Sequence, residues 1–152
     1  MNELTEILQT LLNLHENLLD ITKKKQEVLV TGDVKALLSL LSEESKVVKQ
    51  IGETDVRRTS VVGEEPLSAY ILHRGSQAEK QEWTQLQDGL LALVSDITTV
   101  NQTNAVLIKQ SLSFTQHMME QLLPTTQAAG YSRQHDTVQE SSSPNRFFDA
   151  KV

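Results

Sequence analysis

No cysteine occurs in the chain, which excludes disulfides and thiolate metal sites and leaves the redox compartment open. Aromatic residues make up 4% of the sequence and apolar residues together 38%, below the roughly 45–50% of an ordinary globular chain, a figure that counts glycine. That supply is too small for a thick layered core, whereas a thin seam between long helices needs little apolar mass. No apolar run approaches the ~20 residues of a membrane span, so stable membrane insertion is not expected. The opening Met1-Asn2-Glu3 has no basic segment followed by an apolar block, so no signal peptide is expected either. A net charge of -6 argues against a nucleic-acid backbone as the main partner. These absences together point to a soluble cytoplasmic protein.

Catalytic patterns are also missing. The histidines His15, His73, His117 and His135 are never three or four residues apart, so no helix presents a chelating pair. There is no GxGxxG, GxxxxGK[ST] or GxSxG motif. The carboxylates fall on solvated helix faces, not in a cluster that would push their pKa values apart. The sequence therefore predicts no catalytic residues, no metal and no cofactor. His15 reads as a satisfied core or rim histidine.

What the chain does have is periodicity. Across residues 83–123, Leu86, Leu90, Leu93, Ile97, Val100, Asn104, Leu107, Ser111, Phe114 and Met118 recur in alternating steps of four and three. That spacing puts all ten on one seam of a helix. Pro124 ends it, because proline lacks the amide donor. A helix begun at Ser76, where Ser76 and Glu79 make a capping box, would be roughly 70 Å long at ~1.5 Å per residue. Such a length requires partner helices.

The first helix is expected over residues 2–30. Leu4, Ile7, Leu11, Leu14, Leu18, Ile21 and Val28 keep the same spacing, and Lys25 is the one charged intruder. Leu8, Leu12, Leu19 and Leu29 widen the apolar arc to about 200°, twice what one packed face requires. This helix must touch two neighbours, or one neighbour and a ligand. Lys23-Lys24-Lys25 reads as a solvated helix end opposite the negative end of the macrodipole. Thr31-Gly32-Asp33 breaks the helix, and so short a loop makes the second helix, residues 33–60, an antiparallel neighbour. Leu37, Leu38, Leu41, Val48, Ile51 and Val56 are expected to face inward on it. Gly63-Glu64-Glu65-Pro66 is the next break, with Pro66 opening a short helix over 66–73. Trp83 is expected to pack against that short helix. The fold class predicted is all-α: an elongated antiparallel three-helix bundle or coiled coil with one short extra helix. Residues 1–124 would form the domain, and 125–152 a disordered polar tail.

Four features hint at function. Asn104 sits at an inner heptad position, where a buried amide sets register. From Ser95 to His117 the outer face of the long helix is mostly Thr, Gln, Ser and Asn. Near its end Ile108, Leu112, Met119 and Leu123 broaden the apolar arc to about 180°, and Met118-Met119 adds adaptable side chains. This breadth suits either a client helix or complete coverage by the first helix. The pair Phe147-Phe148 and Tyr131 have no core to serve in a polar tail and read as recognition elements. The same broad arcs would also suit self-association in a coiled-coil adaptor for signalling or secretion.

Over residues 1–131 the chain resembles the FlgN family of flagellar type III export chaperones. The likeness rests on Lys24-Lys25-Gln26 in a leucine-rich opening helix and on Ala36-Leu37 after the Gly32-Asp33 turn. It rests also on Asn101, on Asn104-Ala105-Val106-Leu107-Ile108, and on Tyr131. The ending Phe147-Phe148-Asp149-Ala150-Lys151 is similar to tails of related proteins from Gram-positive bacteria. The resemblance implies a cytoplasmic chaperone for hook-associated proteins, binding their C-terminal segments and bringing them to the flagellar export gate. It implies client binding through the last helix, matching Leu107, Ile108, Leu112, Met119 and Leu122, and gate docking through Tyr131.

Overall fold

The computed structural model describes residues 2–122. They form four helices and no strand: α1 (Glu3–Thr31), α2 (Val34–Val62), α3 (Leu67–His73) and α4 (Gln77–Leu122). This is the all-α bundle of three long helices and one short one that the periodicity predicts. The segment 125–152, expected to be a polar tail, lies outside the described residues, as do Leu123 and Pro124. Contacts divide the chain into two compact units, Met1–Leu107 and Ile108–Val152.

In the first unit the helix ends follow from local chemistry. The Asn2 side chain accepts a hydrogen bond from the Leu4 amide at 2.9 Å, and Glu3 and Glu6 occupy the first turn of α1, where carboxylates meet the positive end of the dipole. At the other end Gly32 adopts φ 78°, and its N–H donates to the Val28 carbonyl at 2.8 Å. The very next residue, Asp33, caps α2 by accepting from the Ala36 amide at 3.1 Å. Two residues thus end one helix and start another, folding α2 back along α1. Lys25, the charged intruder of the α1 seam, meets Glu44 of α2 at 2.7 Å. Both side chains are mostly buried, so the pair replaces much of the water that each charge gives up.

α4 lies on the opposite side of the α1 arc and runs parallel to it. The Trp83 indole N–H donates to Thr5 Oγ1 at 2.9 Å, and farther along the Asn104 amide donates to the Thr22 carbonyl at 3.1 Å. Between them Gly89 leaves room for Leu12, whose Cδ1 would stand 3.1 Å from any added Cβ. The broad arc of α1 therefore serves two neighbouring helices. Its Leu4, Ile7, Leu8, Leu11, Leu18 and Ile21 form the middle of a core shared with Val47, Ile51 and Val62 of α2 and with Trp83, Leu86 and Ile97 of α4. Each such side chain contributes roughly 1.5–3 kcal/mol on leaving water.

The inward stripe of α2 differs from the sequence expectation. Leu38, Leu41 and Val56 are exposed, while Leu40 packs against the core and Val47, Ile51 and Thr54 are buried. The run Leu37-Leu38-Ser39-Leu40-Leu41 supports two stripes on adjacent sides of one helix. Steps of seven, four and three from Leu40 through Val47 and Ile51 to Thr54 define the one that α1 covers.

The start of α4 is fixed by a small assembly around Trp83. Tyr70 of α3 lies with its ring centroid 6.0 Å from that of Trp83, tilted by 48°, so Trp83 packs against the short helix as expected. Gly75 takes φ 89°, and a Cβ there would fall 2.6 Å from the indole; conformation and space both require glycine. The capping box forms as predicted: the Ser76 amide donates to Glu79 Oε1 at 3.0 Å, and the Glu79 amide donates to Ser76 Oγ at 3.2 Å. Asn2 donates its side-chain amide to the other Glu79 oxygen. The Ser76 backbone N–H first, and the Asn2 amide second, hold the Glu79 carboxyl below its ordinary pKa.

Candidate functional site

Among the described residues no group of three or more His, Cys, Asp or Glu side chains could hold a metal ion. No described helix is long and apolar enough to cross a membrane. His15 uses its Nδ1 on the Leu11 carbonyl at 2.7 Å, within its own helix. Lys24 pairs with Asp20 one turn before it at 3.1 Å, and that hydrogen bond, reinforced by the opposite charge, holds the Lys24 pKa above its ordinary value. Neither of these groups converges with another toward a reacting centre.

The candidate site is an apolar face. Along α4 the inner heptad positions are buried or half-buried through Leu107, and Asn104 is the last fully buried one. At 46 residues α4 is longer than α1 by 17 residues, or about 25 Å at ~1.5 Å rise. Asn104 is 3% exposed, and its Oδ1 has no hydrogen-bond partner. The Thr22 carbonyl can only accept, so the amide must turn its NH2 that way and leave the carbonyl unpaired. The neighbouring Thr22 hydroxyl is already donated to the Leu18 carbonyl at 2.7 Å. A buried polar contact of this kind penalises any shift of α4 along α1, because a slipped register would strand the NH2 as well.

The second unit begins at Ile108. From there to the end of α4 no described side chain is buried. Ile108, Leu112, Phe114, Met118 and Leu122 are between 40% and 73% exposed, and Met119 is half-buried. Ile108, Leu112, Met119 and Leu122 follow one another by four, seven and three residues, which puts them on one side of the helix. Phe114 and Met118 flank that side and widen the apolar arc to about 160° at 100° per residue. Around it Thr115 returns its hydroxyl to the Ser111 carbonyl at 2.9 Å, and Gln121 lies 3.3 Å from His117. Lys109 and Glu120 are the only Lys, Arg, Asp or Glu of residues 108–122.

Of the residues singled out for client binding, Ile108, Leu112, Met119 and Leu122 therefore share one face. Leu107 is half-buried and closes the first unit. Phe114 and Met118, which heptad counting assigns to the inner seam, stand exposed beside that face, so the exposed strip is richer than expected. The reason is that a heptad identifies a face and does not supply its partner. Tyr131, Phe147 and Phe148 lie outside the described residues. A second apolar group, unforeseen in the sequence, lies in the first unit at the α1–α2 turn. There Val30, Val34, Leu38 and Leu41 are exposed, the last three in steps of four and three along α2.

Comparison with known proteins gives the family. The family described as FlgN protein matches residues 1–139. The uncharacterized protein YvyG of Bacillus subtilis (strain 168) is 29% identical over 153 aligned positions, which cover 97% of this chain and 96% of that protein. No solved structure matches significantly. With its match running from the first residue through both units as far as residue 139, the chain belongs to the FlgN family, a family of flagellar export chaperones.

Proposed function

We propose that this chain is a cytoplasmic chaperone for hook-associated proteins of the hook–filament junction, which it keeps from assembling prematurely and delivers to the flagellar type III export gate. The observation that carries the reading is the exposed apolar strip of residues 108–122 on a helix that otherwise buries its seam. An amphipathic C-terminal helix of the client would lay its apolar stripe on Ile108, Leu112, Met119 and Leu122, with Leu107 preceding them, as in helix-in-groove recognition. Each fully buried Leu or Ile would contribute roughly 1.5–3 kcal/mol before the cost of association. Met118 and Met119 can repack around more than one client sequence. On this reading Tyr131 contacts the export gate, and the segment with Phe147 and Phe148 supplies a further recognition element.

Mixing the full chain with a full-length hook-associated protein and separating the products by size tests this directly. A complex of one chaperone with one client is expected, and removal of the client's C-terminal segment should abolish it. Absence of a complex, or a chain that only pairs with itself at low concentration, would replace the chaperone reading with a self-associating adaptor.

A further inference from the structure

The exposed strip has a candidate occupant on its own polypeptide. Residues 108–122 expose five large apolar side chains, and the chain then continues for thirty more residues, 123–152. Three of its six aromatic residues, Tyr131, Phe147 and Phe148, fall in that continuation. We propose that the Phe147-Phe148 segment docks on the strip of residues 108–122 of the same chain, in competition with a client.

Length permits it. Twenty-four residues lie between Leu122 and Phe147, and a chain of that length reaches well past the strip even at half of its full extension of ~3.3 Å per residue. The strip itself is about 22 Å long at ~1.5 Å per residue. The tether is therefore long enough to cover the distance, and linkage within one chain gives an effective concentration of order mM. At that concentration even a weak contact is substantially populated. The chemistry also fits. A Phe pair offers a large apolar area with few rotatable bonds, and Met118 and Met119 are favourable sulfur neighbours for aromatic rings. Arg146 and Asp149 flank the pair, so one chain direction sets Arg146 toward Glu120 and Asp149 toward Lys109.

A tethered segment forgoes most of the entropy lost when two molecules associate, so it occupies the strip on weaker contacts than a second copy would need.

The docking does not depend on the chaperone reading; its effect on client affinity does. The test uses the full chain with methyl-labelled methionine, whose three methionines are Met1, Met118 and Met119. Replacing Phe147→Ser and Phe148→Ser together should move the Met118 and Met119 methyl resonances, through loss of ring currents, and leave Met1 in place. Client affinity should rise about two- to ten-fold, as a mM tether with comparable intrinsic affinity is removed. Unmoved Met118 and Met119 resonances overturn the proposal, as do shifts that vary with protein concentration, which would identify a second copy as the occupant. Shifted methyls with unchanged client affinity would leave the docking standing and remove the strip from the client site.

Discussion

Replacing Asn104 with leucine should make the protein more stable and less specific. In the folded state Asn104 is 3% exposed, donates once, to the Thr22 carbonyl at 3.1 Å, and leaves its own Oδ1 without a partner. An unpaired buried acceptor costs about 1–3 kcal/mol, and the single hydrogen bond returns about 0.5–1.5 kcal/mol. Leucine removes both and adds a buried apolar side chain worth roughly 1.5–3 kcal/mol at an inner heptad position. The Thr22 carbonyl sits mid-helix in α1 and keeps its ordinary helical partner in the variant. The net change is a stabilisation of about 1–3 kcal/mol after allowance for imperfect packing. For a domain near 100 residues that raises Tm by roughly 4 °C or more per kcal/mol. Far-UV circular dichroism during heating measures it, and sedimentation velocity on the same samples reports whether α4 still pairs in one way. A raised Tm accompanied by mixed species supports a register role. A lower Tm would refute the energetic reasoning, and an unchanged single species would refute the role in register.

Two further perturbations test the start of α4. Gly75→Ala should lower stability by about 2 kcal/mol or more, because a left-handed conformation and an approach of 2.6 Å to the Trp83 ring both oppose a Cβ; an unchanged denaturation midpoint would contradict the geometry. Glu79, with its folded-state pKa lowered by Ser76 and Asn2, binds its proton more readily when unfolded. Its contribution is thus present above the ordinary carboxylate range and lost as pH falls through the lowered folded value. Glu79→Gln should flatten the acid side of the stability profile, and an identical profile in wild type and variant would count against that linkage.

The parts of the fold legible in the sequence are those where one local pattern has one reading. The Gly32-Asp33 turn combines a C-terminal glycine with a capping aspartate, and Ser76 with Glu79 spells a capping box; both form as written. The two broad seams identified α1 and α4 as helices in need of company. Leu37 to Leu41 was not legible in the same way, since a leucine-dense run supports two stripes and only contact with α1 selects one. Lys25 lies on the α1 seam, and its resolution by Glu44 across the hairpin is a tertiary fact that helix periodicity cannot contain. For the candidate site, the sequence located the apolar excess near the end of α4. It could not separate a packed side chain such as Ile97 from an exposed one such as Phe114, because both satisfy the same repeat. The exposed group Val30, Val34, Leu38 and Leu41 escaped for a related reason: its members look like ordinary core leucines and valines until the helices are paired.

The central claim is that residues 108–122 present an apolar face on which a client's helix binds. Titration of a fluorescent C-terminal segment of a hook-associated protein against the wild-type chain and against Leu112→Asp and Met119→Asp tests it most directly. The account predicts saturable binding to the wild type, binding lost in both variants, and far-UV spectra that remain helical in all three. Undiminished binding by either folded variant would contradict it.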